Sequence, residues 1–130
     1  MTSFVFDTGA LSLFYADDER LSPLVGRIQE ERDLGLLCSV TLSEFYYKTC
    51  QKLGRDVATL WCRQLSERMQ VVAVDVDLSI AAGLEKCRNN RFSLADCYAL
   101  ALTKRVGGLL LTTDSELARN KETKVRFFEV

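Results

Sequence analysis

The chain has 130 residues, of which 48% are hydrophobic and 27% are charged, with one Pro and seven Gly. This length suits a domain that buries about two-thirds of its unfolded surface, so we predict a single domain over residues 1–130; the composition excludes a disordered or collagen-like chain. Histidine is absent, which excludes the Ser-His-Asp and Cys-His nucleophile systems. The net charge of -1 does not favour a nucleic-acid-binding surface, unless several acids are concentrated in one cation-binding pocket.

The sequence also bears on the cellular location of the protein and on the redox state of its cysteines. No apolar run approaches the roughly 18 to 20 residues that span a bilayer, and the first residues do not resemble a secretory signal. We therefore expect a cytoplasmic protein with no membrane association. The five cysteines include no Cys-x-x-Cys pair, so zinc-finger spacing is absent. Buried, reduced thiols are the simplest expectation, with one oxidised pair left open.

Five apolar runs bounded by polar residues or glycine are the candidate strands. In chain order they are residues 3–6, 34–38, 71–74, 108–112 and 125–128. Most are continuous rather than alternating, which is typical of a parallel sheet covered on both faces, and the intervals between them have helical length and period. The sequence therefore predicts an α/β fold with a parallel sheet.

The intervals carry helix signals. Pro23 after Ser22 predicts a helix start, and Gly107-Gly108 predicts the end of the last long helix, with Gly35 in a similar role before Leu36. One predicted core-facing stripe consists of Leu42, Phe45, Tyr46 and Thr49. A second consists of Leu94, Cys97, Tyr98, Ala101 and Leu102.

Four acids occupy positions that matter in such a sheet, because ligands collect outside the carboxyl ends of parallel strands. Asp7 and Asp114 directly follow predicted strands, while Glu44 and Asp96 lie in the predicted first turns of helices. If these strand ends and helix starts share one edge, four carboxylates converge. A site of oxygen ligands without histidine suits Mg²⁺ or Mn²⁺.

Helix capping is the alternative reading of each acid. Thr41-x-x-Glu44 and Ser93-x-x-Asp96 both match the capping-box pattern, and Asp7 and Asp114 could each be a simple N-cap. Four coincident caps are less expected than one site. Asp75 and Asp77 also follow a strand, but they are typical of an ordinary helix start, and the run at residues 17–20 is typical of a solvated loop.

Four fragments in this order resemble the PIN-domain family, specifically the VapC-type toxins of toxin–antitoxin pairs. They are VFDTGAL at residues 5–11, VTLSE at 40–44, FSLADC at 92–97 and LTTD at 111–114. Together they extend over nearly the whole chain. The resemblance implies that the family's metal-site acids correspond to Asp7, Glu44, Asp96 and Asp114.

The resemblance also implies a three-layer α/β/α fold around a five-stranded parallel sheet. It implies Mg²⁺ or Mn²⁺ dependence, cleavage of an RNA substrate, a homodimer and inhibition by a cognate antitoxin protein. Whether the site holds one metal or two, and which RNA is cut, stay open. Some relatives carry a further acid where Glu116 stands.

Within this hypothesis, Asp7 and Asp96 bind the main metal, Asp114 completes or orients its shell, and Glu44 holds a second metal or activates water. The hydroxyls of Thr8 and of Thr112 or Thr113 are candidates to fix a carboxylate or bind a substrate phosphate. The candidate RNA-binding residues are basic residues near the motifs in sequence: Lys48, Lys86, Arg88, Arg91 and Arg119.

Two other functions remain as alternatives. Asp7 after the first strand could be the nucleophile of an aspartyl-phosphate enzyme, but Gly9 stands where a phosphatase carries its second Asp. A catalytically silent PIN-like module that binds RNA or protein is the other alternative, and the presence of all four acids argues against it. For a partner groove the candidates are Leu11, Leu13, Phe14, Tyr15, Tyr46 and Tyr47.

Overall fold

The computed structural model describes residues 1–130 as an α/β/α sandwich around one parallel sheet. The strands are β1 Ser3–Phe6, β2 Leu34–Cys38, β3 Gln70–Val72, β4 Leu109–Thr112 and β5 Val125–Phe127. The helices are α1 Thr8–Tyr15, α2 Ser22–Gln29, α3 Ser39–Leu53, α4 Arg55–Arg68, α5 Val76–Arg88, α6 Leu94–Val106 and α7 Ser115–Ala118. A 3₁₀ turn covers Glu19–Leu21. The predicted fold class is confirmed.

The five strands lie in the order β3-β2-β1-β4-β5, and every neighbouring pair is parallel. After β1, the chain places β2 and then β3 on one side of it. The chain then crosses back and places β4 and β5 on the other side of β1. The order therefore reverses between β1 and β4. In open parallel sheets, ligands bind in the crevice at this switch point, outside the carboxyl ends of the strands.

Alternate strand residues face opposite layers, which explains why the strands are apolar throughout. Val5, Leu36 and Leu110 pack under α5 and α6. Phe6 and Leu111 belong to the second core cluster, which also includes side chains from α1, α3 and α4. Two covered faces require continuous apolar runs, as observed.

Most predicted boundaries are correct to within one or two residues, but two details are wrong. Gly35 lies inside β2 rather than before it. A Cβ there would meet Ile28 at 3.1 Å and Met69 at 3.3 Å, so glycine provides packing space. Leu94, predicted to lie on the core face of α6, is 53% exposed because it is the first residue of that helix. Gly107 ends α6 in the left-handed region, with φ of 61°, as predicted.

All five cysteines are free. Cys38 and Cys97 are buried as expected, whereas Cys87 is exposed, contrary to the expectation of buried thiols. None of the helices combines the length and apolar content needed to cross a membrane.

Candidate active site at the switch point

Asp7 directly follows β1 and is the N-cap of α1. Its Oδ1 accepts the backbone N–H of Ala10 at 2.8 Å, and its Oδ2 accepts the hydroxyl of Thr112. Burial raises the pKa of Asp7 to about 6; the two hydrogen bonds lower it, and the negative charges of Asp96 and Asp114 raise it. A buried acid among other acids is costly to ionise, and such groups are common at functional sites.

Thr112, the last residue of β4, connects Asp7 to Asp114. Its hydroxyl oxygen accepts the backbone N–H of Asp114 at 2.9 Å while donating to Asp7. Asp114 in turn caps α7, since its Oδ1 accepts the N–H of Glu116 at 2.8 Å. Two predicted site acids are thus held at the ends of adjacent strands through one threonine.

Asp96 lies in the first turn of α6, and here the capping-box alternative is correct. Its Oδ2 accepts the N–H of Ser93 at 3.3 Å, and the Ser93 hydroxyl accepts the N–H of Asp96 at 3.1 Å. Burial raises the pKa of Asp96, and the negative charges of Asp114 and Glu44 add to this. The cap therefore fixes a carboxylate that also lies within the field of two other candidate acids.

Glu44 is not a capping residue. Helix α3 begins at Ser39, so Glu44 lies in its second turn rather than in the first turn as predicted, and Thr41 is not the N-cap. The Thr8 hydroxyl donates to Glu44 Oε1 at 2.5 Å, and Lys48 lies 3.7 Å from the same oxygen. The predicted role of Thr8 in fixing a carboxylate has a direct geometric counterpart here.

The four acids thus share one edge of the sheet and influence one another electrostatically. Glu44, Asp96 and Asp114 each keep one carboxylate oxygen that accepts no hydrogen bond, namely Oε2, Oδ1 and Oδ2. No group of three or more Asp, Glu, Cys or His side chains stands close enough in this arrangement to hold a metal ion. The edge is therefore a concentration of negative charge, without a preformed coordination shell.

Gly9 contributes to the site through its small size, which the sequence reading did not recognise. A Cβ at Gly9 would lie 1.8 Å from Oγ1 and 2.9 Å from Cβ of Thr113. The start of α1 and the end of β4 therefore touch. Thr113 thus packs against the turn after Asp7, and Glu116 is exposed on α7 beside the cap.

Of the two acids that follow β3, one is an ordinary helix cap, as expected. Asp75, rather than Asp77, caps α5 by accepting the N–H of Leu78 at 2.7 Å. Its two oxygens also bind Arg105 at 3.0 and 2.8 Å. The hydrogen bonds from Arg105 lower the pKa of Asp75 to about 2.

The candidate RNA-binding residues fall into distinct environments. Arg91 and Arg119 line one polar cavity, whereas Arg88 lines a different depression on α5 and α6. Lys48 pairs with Glu44. Lys86 donates to the carbonyls of Asn90 at 2.9 Å and Phe92 at 2.6 Å, so it fixes the loop that leads to Ser93. That supporting contact was not predicted.

Solved structures of three proteins resemble this fold. VapBC2 of Rickettsia felis, bound to a DNA fragment from its promoter, has a TM-score of 0.78 and 10% identity, covering 98% of this chain and 100% of that one. VapC20 of Mycobacterium tuberculosis, a sarcin-ricin-loop-cleaving toxin, has a TM-score of 0.69 and 18% identity, covering 88% and 92%. A toxin–antitoxin complex of Klebsiella pneumoniae has a TM-score of 0.69 and 13% identity, covering 97% and 98%.

At these identities the likeness is one of fold. No curated protein sequence matches the chain. The sequence model of one family, the PIN domain, matches residues 4–122. Because that match covers most of the chain, including strands β2 to β4 and all seven helices, the protein belongs to the PIN-domain family.

Proposed function

We propose that the protein is a metal-dependent endoribonuclease that hydrolyses RNA phosphodiester bonds as the toxin of a toxin–antitoxin pair. The observation that carries the proposal is the buried Asp7, whose pKa is raised to about 6, at the switch point beside Asp96 and Asp114. Family membership and the fold likeness to VapC structures support it.

The residues at this edge fit Mg²⁺ or Mn²⁺ by their chemistry. All four are carboxylates, three keep an oxygen that accepts no hydrogen bond, and burial and mutual repulsion raise the pKa values of Asp7 and Asp96. A divalent cation would relieve that repulsion, and it prefers oxygen ligands. The carboxylates would have to move closer together to share an ion, since no three acids are close enough in this structure.

In the proposed reaction, Asp7 and Asp96 would hold the metal ion, and Asp114 would complete or orient its set of ligands. When bound, the ion supplies charge stabilisation at the phosphoryl oxygens and a lower pKa for the attacking water. Thr112 orients Asp7, and Thr8 orients Glu44. Glu44 Oε2, which accepts no hydrogen bond, takes the proton of the water or helps to hold a second ion.

An aspartyl-phosphate mechanism is less consistent with these contacts. A nucleophilic carboxylate needs an oxygen free to approach the phosphorus atom. Both oxygens of Asp7 accept hydrogen bonds, and the side chain is only 6% exposed. Each oxygen keeps a second lone pair that can bind a cation, whereas a covalent bond to phosphorus would disrupt one of these hydrogen bonds, so the contacts favour the hydrolytic role.

The proposed substrate and antitoxin follow from the relatives. One similar structure is a toxin that cleaves the sarcin-ricin loop, and another is a toxin–antitoxin complex. Near Glu44 and Lys48, the rings of Tyr15, Phe45 and Trp61 stack, with 4.3 Å between the centroids of Tyr15 and Trp61. They line a cavity of about 260 Å³ that Lys48 and Lys52 also border. An antitoxin segment with apolar and acidic side chains suits this surface.

A homodimer is the proposed assembly, with α5 as the contact. Val76, Ile80 and Leu84 form an apolar stripe one turn apart and are 75%, 66% and 47% exposed. Asp77 lies near the start of α5 and Arg88 at its end. Antiparallel packing of two copies of α5 would bury both stripes and bring each Asp77 towards the other Arg88.

Metal binding and cleavage measured together test the proposed function. Mn²⁺ is titrated by calorimetry into the protein and its Asp96→Asn variant, with cleavage of a fluorescent RNA assayed in parallel and Asp56→Asn, an exposed acid on α4, as the control. Binding and cleavage in the parent and the control, and loss of both in Asp96→Asn, are expected. Absence of both in the parent would instead favour the catalytically silent binding module.

A further inference from the structure

A small cavity of about 160 Å³ lies beside the acidic edge and has no part in the proposed chemistry. Its lining residues are Asn89, Arg91, Phe92, Glu116, Arg119 and Asn120. One wall is the loop that leads to Ser93. Ser93 and Asp96 together cap α6. The other wall is formed by α7, whose N-cap is Asp114, and by the turn after α7. The cavity therefore lies between the two elements that carry Asp96 and Asp114.

The cavity contains two arginines without acidic partners. Arg91 and Arg119 are exposed, and neither takes part in an ion pair, although Glu116 lines the same space. The guanidinium group is planar and carries five donors in a fork that matches phosphate oxygens. Two such groups around one small polar cavity are suited to an anion of phosphate geometry.

Asn120 adds a donor that has no acceptor. Its Oδ1 accepts the N–H of Glu122 at 3.0 Å, which fixes the orientation of the amide. The other end, Nδ2, is buried and has no hydrogen-bond partner. Buried N–H groups are nearly always satisfied, so this donor needs an acceptor, and Asn120 is one of the residues that line the cavity.

We propose that this cavity binds a backbone phosphate of the RNA adjacent to the scissile phosphodiester, with Arg91 and Arg119 as the clamp. The identity of the ligand as RNA rests on the proposed function, whereas the phosphate chemistry rests on the cavity alone. The contact positions the substrate without reading its sequence, since phosphates are common to all sequences. It contributes to substrate binding rather than to the chemical step.

The first test uses uridine 3′-monophosphate and the full chain in EDTA, observed by nuclear magnetic resonance. Saturable shifts are expected for the Asn120 side-chain amide and for the Nε–H groups of Arg91 and Arg119. The Arg91→Gln/Arg119→Gln variant should bind the nucleotide about tenfold more weakly, equal to about 1.4 kcal/mol. The control variant, Arg55→Gln/Arg63→Gln, changes two exposed arginines of α4 and should match the parent. Equal affinity in all three proteins, or shifts that leave out Asn120, would overturn the inference.

The second test separates this inference from the proposed function. With RNA and Mn²⁺, the Arg91→Gln/Arg119→Gln variant should show a KM about tenfold higher, again about 1.4 kcal/mol, with kcat nearly unchanged. Cleavage with an unchanged KM would overturn the phosphate clamp and leave the nuclease intact. Nucleotide binding at the cavity without any RNA cleavage by the parent would overturn the nuclease and support the clamp.

Discussion

The hydroxyl of Thr112 donates a hydrogen bond to Oδ2 of Asp7, across 105 residues of sequence. The hydroxyl oxygen of Thr112 also accepts the N–H of Asp114, so one threonine fixes two acids of the proposed site relative to each other.

Thr112→Val tests this connection with a residue of nearly the same shape. Loss of a group that orients a metal ligand typically reduces activity about 10- to 100-fold, and we expect RNA cleavage to fall by that factor. The pKa of Asp7 should rise further, because the Thr112 hydrogen bond lowers it. Thr103→Val is the control, since it removes a buried hydroxyl that donates to the carbonyl of Ala99 at 2.7 Å. It should lower stability without impairing cleavage, and full activity in Thr112→Val would contradict the positioning role.

Gly9→Ala tests the contact between α1 and the end of β4. The added methyl would overlap Thr113, and overpacking of this kind costs about 1 to 3 kcal/mol. Gly26→Ala in α2 meets nothing within 4 Å, so its higher helix propensity should stabilise by up to about 1 kcal/mol. Urea denaturation should therefore move the two midpoints in opposite directions. A midpoint in Gly9→Ala that is unchanged or higher than in the parent would mean that Thr113 yields without strain.

Asp7→Asn should stabilise the metal-free protein at neutral pH. The folded pKa of Asp7 is about 6, above its ordinary value of 3.8. Protonation therefore favours the folded state, and the free energy of unfolding falls as the pH rises from about 4 to 6. At pH 7.5 the variant should be more stable by about 1 to 3 kcal/mol, and at pH 4 the difference should vanish.

Urea denaturation in EDTA at the two pH values measures this difference, and Mn²⁺ should stabilise only the parent. A variant less stable than the parent at pH 7.5 would show that the hydrogen bonds to the Asp7 carboxylate outweigh the cost of its burial.

Lys86→Met distinguishes support of the loop from contact with RNA. Lys86 donates to two carbonyls of the loop before Ser93, so its loss should reduce cleavage and lower stability by about 1 kcal/mol. The salt dependence of RNA binding should stay as in the parent, because no phosphate contact is lost. The exposed Lys124 serves as the control in Lys124→Met. A weaker salt dependence in Lys86→Met alone would return Lys86 to the RNA-binding set.

Ile80→Glu tests the α5 contact of the proposed homodimer. A charge in the middle of a buried apolar stripe is costly, so sedimentation should show a monomer. Leu60→Glu, at a residue of α4 that is 55% exposed, is the matched control and should keep the mass of the parent. A dimer that persists in Ile80→Glu would place the contact on another surface.

The sheet, and the placement of Asp7 and Asp114 at one edge of it, could be predicted because their signals are local. Val5 and Phe6 pack on opposite faces of the sheet, and that arrangement alone requires adjacent apolar residues. Asp7 and Asp114 follow such runs directly, so the edge that they occupy follows from strand direction.

Features that depend on distant pairing could not be predicted. Glu44 matched a capping box because the start of α3 was placed three residues too late, and its contact with Thr8 depends on how α1 and α3 pack. The meeting of Arg91 and Arg119 requires the loop before α6 to approach the turn after α7. No local sequence pattern indicates that these two segments lie close together.

The hydrogen bond between Thr112 and Asp7 joins two residues that are synthesised far apart in time. Asp7 leaves the ribosome early, but its partners Thr112 and Asp114 follow more than a hundred residues later. Until β4 pairs with β1, Asp7 lacks both the Thr112 hydroxyl that donates to it and the negative charge of Asp114. Because contacts this distant in sequence form late in folding, the acids of the proposed site come together only after β4 has been synthesised.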